Sequence, residues 1–182
     1  VSPTRGEILD YRGNVIIGNN AQTNIVLQYA FFPKEFKEGN AILLRLYNEL
    51  AAKDHFFEEV LPITMTAPYE YTEQDTTAVT ERLNLNVYAT AENCIDKLIS
   101  DYEISEEYTQ EEKRIIAGLR YGMAAKDFSY NNDFVLARDV EKSTVIKLKE
   151  LSSVLRGVSA VEAADREIKR GDILPHEIGM VG

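Results

Sequence analysis

Thr23-Asn24-Ile25-Val26-Leu27-Gln28-Tyr29 is followed by Pro33, and then Leu43, Leu44, Tyr47, Leu50 and Ala51 recur at helical spacing. The first seven residues are rich in β-branched and aromatic types and read as a strand that Pro33 ends. From Asn40 onward the period becomes helical, with Arg45, Asn48, Glu49 and Lys53 on the other side. Upstream, Ile8-Leu9 and Val15-Ile16-Ile17 flank the turn-like Tyr11-Arg12-Gly13-Asn14, which predicts a β-hairpin.

Downstream, residues 55–88 carry Pro62, Pro68 and six threonines around short apolar pieces, which predicts short strands or loops. Two closely spaced helices follow. Thr90 caps the first, whose inward face is Cys94, Ile95, Leu98, Ile99 and Tyr102. Thr109 with Glu112 forms a capping box for the second, with Ile115, Ile116, Leu119 and Met123 facing inward. Phe134-Val135-Leu136-Ala137 predicts a strand, and Val145, Leu148, Leu151 and Leu155 mark a helix closed by Gly157 in the left-handed conformation. Val158 to Ile168 alternates loosely as a last strand, which Gly171 breaks. Strands at both ends around a helical middle give an α+β fold: a strand-rich base from 1–35 and 131–182, with a mainly helical head inserted over about 36–130.

Composition removes several functions. The 182 residues hold 20 Lys and Arg against 30 Asp and Glu, a net charge of −10, which argues against a nucleic-acid partner. Eight acids and one lysine fall in residues 91–112. That pattern reads first as a solvated face and second as a docking surface for a basic partner. No run of apolar residues is long enough to span a bilayer. The sequence starts at Val1 without Met or a signal-peptide pattern, as a piece of a longer protein would. Cys94 is the single cysteine, so no internal disulfide or Cys-based zinc site is expected, and it reads as a small buried apolar residue. His55 and His176 stand far apart and form no metal motif. No cofactor and no metal are expected.

Catalytic patterns are missing as well. No serine is followed three positions later by lysine, and K-T-G, G-x-S-x-G, phosphate-loop and G-x-G-x-x-G motifs do not occur. Ser129-Tyr130-Asn131 stands alone, without companion motifs.

The distinctive residues bunch at the two ends. Arg5-Gly6-Glu7-Ile8-Leu9-Asp10-Tyr11-Arg12-Gly13 resembles the R-G-x-I-x-D-R-N-G run that opens the non-catalytic module of class B penicillin-binding proteins, with Tyr11-Arg12 in place of Arg-Asn. Glu150-Leu151-Ser152-Ser153-Val154-Leu155-Arg156-Gly157-Val158 is similar to that family's E-x-x-x-x-L-P-G-V, with Arg156 where proline is usual. Arg166-Glu167-Ile168-Lys169-Arg170-Gly171 is similar to R-x-Y-P-x-G, and His176-Glu177-Ile178-Gly179 to H-x-x-G. Leu119-Arg120-Tyr121-x-Met123 also suits the family. Residues 36–110 carry no matching signature.

The resemblance implies a bacterial, extracytoplasmic protein anchored by one upstream helix absent from this chain, with a C-terminal D,D-transpeptidase domain that also lies outside it. It implies a non-catalytic pedestal whose partners are that transpeptidase domain and a polytopic glycosyltransferase of the shape, elongation, division and sporulation family; homodimerisation stays open. The family-motif residues Arg5, Gly6, Asp10, Gly13, Arg120, Glu150, Gly157, Arg166, Gly171, His176 and Gly179 become structural or interface candidates. Arg5, Asp10, Glu150 and Arg166 are expected to meet near the base, where bidentate arginine–carboxylate pairs would brace segments remote in sequence. Gly6, Gly13, Gly157 and Gly171 are expected at turns or strand ends, and His176 as a packed, hydrogen-bonded residue. Two other readings stay open: an acidic adaptor that docks a basic partner through residues 91–112, and an enzyme with a carboxylate site in the head.

Overall fold

The computed structural model describes residues 8–9, 15–17, 21–51 and 59–164. Strands β1 (Ile8–Leu9) and β2 (Val15–Ile17) pair antiparallel, as the Gly/Asn turn between them predicts. Strand β3 (Ala21–Leu27) is the centre of a second, three-stranded antiparallel sheet, with β4 (Phe134–Ala137) on one side and β5 (Val158–Ala164) on the other. All seven residues of β3 pair with β5, from Ala21↔Ala164 to Leu27↔Val158. An early and a late segment of the chain therefore share one ladder.

Strand β3 starts and stops two residues ahead of the span that composition suggests. The Gln28 amide bonds to Gly157 O at 2.8 Å, and the Gln28 carbonyl accepts both Phe31 N and Phe32 N. That carbonyl closes a turn, so the chain has left the sheet before Pro33. Gly157 explains the close approach: its φ is +84°, and a Cβ there would sit 2.5 Å from Phe32 Cα and 2.7 Å from Phe32 N. Gly157 has the predicted left-handed conformation, but it stands beyond the helix that ends at Glu150, at the point where two backbones touch.

Five helices complete the described structure: α1 (Phe36–Ala51), α2 (Thr77–Arg82), α3 (Ala91–Asp101), α4 (Gln110–Ala125) and α5 (Lys142–Glu150). Both predicted caps are present. Thr90 Oγ1 accepts from Asn93 N and Thr109 Oγ1 from Glu112 N, each answered by the N3 side chain on the cap amide. Two boundaries and one element differ from the sequence reading. Helix α1 begins at Phe36, because Gly39 and Asn40 are buried in its first turns and belong to the packed face. Helix α5 ends at Glu150, and Leu151 to Leu155 continue as turns, with Leu155 N bonded to Leu151 O. Within the stretch predicted as strands or loops, α2 is helical, held by buried Val79 and by Thr80, whose hydroxyl bonds back to Thr76 O and Thr77 O.

Two apolar clusters meet across α4. The first joins the sheet (Ile25, Leu27, Phe134) to α1 and α5 through Leu43, Leu46 and Leu148. The second gathers Leu61, Val79, Cys94, Ile95 and Leu98. Helix α4 gives Leu119 and Met123 to the first and Ile116, Ala117 and Tyr121 to the second. It is therefore buried around most of its circumference, not amphipathic as its Glu-rich start suggests.

Two glycine-to-alanine exchanges should move stability in opposite directions. At Gly122 a Cβ would find Phe134 and Val60 at an ordinary 3.7 Å, so Gly122→Ala should gain about 0.5–1 kcal/mol of helix propensity. Gly157→Ala should lose about 2–4 kcal/mol through its left-handed φ and the collision with Phe32. Urea unfolding of both variants measures the contrast.

Candidate functional site: two buried arginines on helix α4

Of the residues singled out by motif, Arg120, Glu150 and Gly157 fall in the described structure. Arg5, Gly6, Asp10, Gly13, Arg166, Gly171, His176 and Gly179 lie outside the described residues, as does His55. The proposed meeting of Arg5, Asp10, Glu150 and Arg166 therefore has one described member, Glu150, exposed at the end of α5.

Arg120 is 6% exposed at the centre of α4. Its Nε donates to Asn40 Oδ1 at 2.8 Å and its Nη2 to Phe36 O at 3.2 Å. Asn40 in turn donates to Tyr102 O at 2.9 Å, beyond the end of α3. The guanidinium carbon lies 5.1, 5.3 and 5.8 Å from the ring centres of Tyr102, Phe36 and Phe32. Gly39 makes room, since a Cβ there would stand 2.7 Å from Arg120 Nη2. Three helices are thus pinned by one cation held on neutral oxygens and aromatic faces, an arrangement available to arginine because it is planar and weakly hydrated. Burial lowers its pKa to about 10, so it stays charged at neutral pH.

Arg114, one and a half turns earlier, is fully buried and carries no sequence motif. Its Nε donates to Thr64 O at 2.9 Å and its Nη2 to Ile63 O at 2.8 Å. The same Nη2 reaches Glu59 Oε2 at 3.2 Å. Glu59 also accepts from Leu61 N, so the pair organises the turn at 59–64. Gly118 leaves space for the guanidinium, since a Cβ there would lie against Arg114 Nη1. Among the described residues Nη1 has no hydrogen-bond partner. Arg114 and Gly118 stand four residues apart on α4, a spacing legible in the sequence, whereas Gly39 and Arg120 meet between two helices and are paired only once the fold is known.

The remaining chemistry is structural. Cys94 is fully buried beside Tyr71 Oη at 3.3 Å, and burial pushes its thiol above the usual range, as suits an unreactive core residue. Burial, with the Cys94 contact, also raises Tyr71. Ser129-Tyr130-Asn131 lies in an exposed turn closed by paired Ser129 and Asn132 amide–carbonyl bonds of 3.0 Å. Arg156, at the usual proline position, pairs with Glu38 at 2.9 Å with both side chains about half exposed, which is worth only about 0–1 kcal/mol. A groove of about 490 Å³ runs between α4 and β4, lined by Gly118, Gly122, Phe134 and Leu136 with Glu59 at one edge. Among the described residues there is no group of three or more metal-ligating side chains.

These features define a class: an α+β module whose buried charges brace helices and loops against one another. The whole chain, residues 1–182, matches the penicillin-binding protein dimerisation domain, and it belongs to that family. No curated protein matches the sequence. The family is a non-catalytic component of the penicillin-binding proteins of peptidoglycan synthesis. Among the described residues no helix is long and apolar enough to cross a membrane.

Replacing either buried arginine should be costly. Arg114→Met leaves Ile63 O and Thr64 O without their donor, and Arg120→Met orphans Asn40 Oδ1 and the aromatic faces. Each should lose about 2–4 kcal/mol in thermal or urea unfolding. Arg120→Lys should recover less than half of its loss, because lysine cannot bond and stack at once. Arg156→Ala should cost less than about 1 kcal/mol.

Proposed function

We propose that this chain is the pedestal of a bacterial cell-wall transpeptidase. Its base, 1–35 with 131–182, carries the inserted head of about 36–130. The module holds the penicillin-binding domain of the parent protein away from the membrane. It also contacts the polytopic glycosyltransferase that polymerises the strands being cross-linked. The chain performs no chemistry itself; a serine D,D-transpeptidase domain elsewhere in the parent does. The parent sits on the extracytoplasmic face of the membrane, anchored by a single upstream helix.

The observation that carries this reading, beside the family match, is the full-length β3–β5 ladder. It sets Ala21 opposite Ala164, so the first residue of β3 and the last of β5 pair at one end of the sheet. A domain that must support another domain needs such a joint, because relative motion at the joint is transmitted to whatever the outgoing strand carries. Arg114 then ties the turn at 59–64, which gives Leu61 and Ile63 to the second cluster, to helix α4.

Two measurements test the reading. Incubated with a fluorescent penicillin, the 182-residue chain should stay unlabelled, and a covalent adduct would refute the assignment. Fused behind a single membrane-spanning helix, it should co-purify with a glycosyltransferase of the shape, elongation, division and sporulation family. Its absence from the pulled-down material would remove the proposed contact.

A further inference from the structure

The connection from α2 to α3 presents two adjacent apolar side chains to water. Val87 is 53% exposed and Tyr88 88%. The turn that carries them is anchored: Tyr88 N donates to Asn86 Oδ1 at 2.7 Å, Ala89 N donates to Asn86 O at 2.9 Å, and Ala89 O accepts from Tyr71 Oη at 2.6 Å. Neighbouring apolar residues held in solvent on an ordered turn gain nothing for the fold and suit an anchor for another surface. Beside them lies a shallow groove of about 560 Å³, lined by Leu85, Tyr88 and Ala89 and by Asn93, Asp96 and Lys97 of α3.

Charge says what can fill it. Residues 91–112 carry eight acids and one lysine, and that lysine, Lys97, is engaged by Asp101 at 3.1 Å. Glu92 and Asp96 stand exposed one turn apart on α3, a like-charged pair whose mutual repulsion a cation from outside would relieve. Glu103, Glu107 and Glu111 extend the negative field toward the start of α4. A second copy of this chain would bring the same charge to the same face, and anionic lipid or nucleic acid would be repelled. A segment with an apolar ridge for Leu85 and Tyr88, flanked by Lys or Arg facing Glu92 and Asp96, meets both requirements.

We propose that the Tyr88–α3 groove docks a cationic amphipathic segment of a partner protein. The inference goes beyond the pedestal reading and does not depend on it, since it concerns a surface remote in sequence from the β3–β5 ladder. Binding draws its orientation from the apolar anchor and its speed from the acidic field.

The test uses the 182-residue chain and a dye-labelled amphipathic Leu/Lys peptide about five helical turns long, with its Leu/Glu counterpart as control. Fluorescence anisotropy should show binding of the Leu/Lys peptide alone. Its affinity should fall by about tenfold or more between about 0.05 and 0.5 M salt. Amide shift changes should concentrate in residues 85–103. Tyr88→Ser and Asp96→Lys should each weaken binding by about tenfold, while Glu70→Lys, which reverses an exposed acid outside the groove, should change it less than about twofold. Shift changes spread evenly over the acidic surface, equal loss in Glu70→Lys, or equal binding of the Leu/Glu peptide would each overturn the proposal. So would sedimentation showing a dimer of the chain that Tyr88→Ser dissolves, which would assign the groove to a second copy.

Discussion

A guanidinium taken out of water must find its hydrogen bonds inside the protein, and helix α4 takes two of them out of water. Burying a charge without such partners costs several kcal/mol, so the positions of Ile63 O, Thr64 O, Phe36 O and Asn40 Oδ1 are constrained by the arginines that need them. The consequence spreads outward. The turn at 59–64 has little regular structure of its own, yet two of its carbonyls are fixed by Arg114. The first turns of α1 and the end of α3 meet at Arg120 and Asn40. Apolar clusters on either side of α4 supply the bulk of the driving force, while the two cations choose which helix surfaces and which loop may face each other.

The sheet carries a different constraint. Strand β3 is central because β4 and β5, both from the last third of the chain, flank it on opposite edges. Both of its edges are then hydrogen-bonded, and the run Asn24 to Leu27 is buried. Asn24, the polar residue at the start of that run, accepts the amide of Asp139, and Val140 N bonds Thr23 O, so the turn after β4 is stitched to the strand as well. Membership of the dimerisation-domain family fits a module built this way, in which buried polar contacts hold geometry and the surface is left for partners.

Features governed by local chemistry were legible in the sequence. Thr90 and Thr109 announce their helices because a cap needs only residues three positions apart, and Phe134–Ala137 reads as a strand because its apolar run is short and bounded. Gly157 was legible as a left-handed residue, although its contact with Phe32 was not, since the partner lies far away in sequence. Helix α2 was missed because Thr77, Val79 and Thr80 are poor intrinsic helix formers, and tertiary burial decides there. The arginines were the largest gap on the described part of the site. A charged residue in a helical pattern is assigned to solvent unless something marks it; Gly39 marks Arg120 only through space, and Gly118, four residues after Arg114 on the same helix, is too common a neighbour to mark it alone. Arg120 surfaced through a family motif, and Arg114 through nothing before the fold was known.

The direction in which β3 and β5 run has a mechanical side. Because Ala21 faces Ala164, a pull that separates those two residues loads the ladder at one rung and opens it like a zip, rung after rung, instead of shearing all seven pairs together. Force applied there would meet the resistance of single hydrogen bonds in succession. The joint is thus compliant to traction between its two strands, while compression drives the same strands into register.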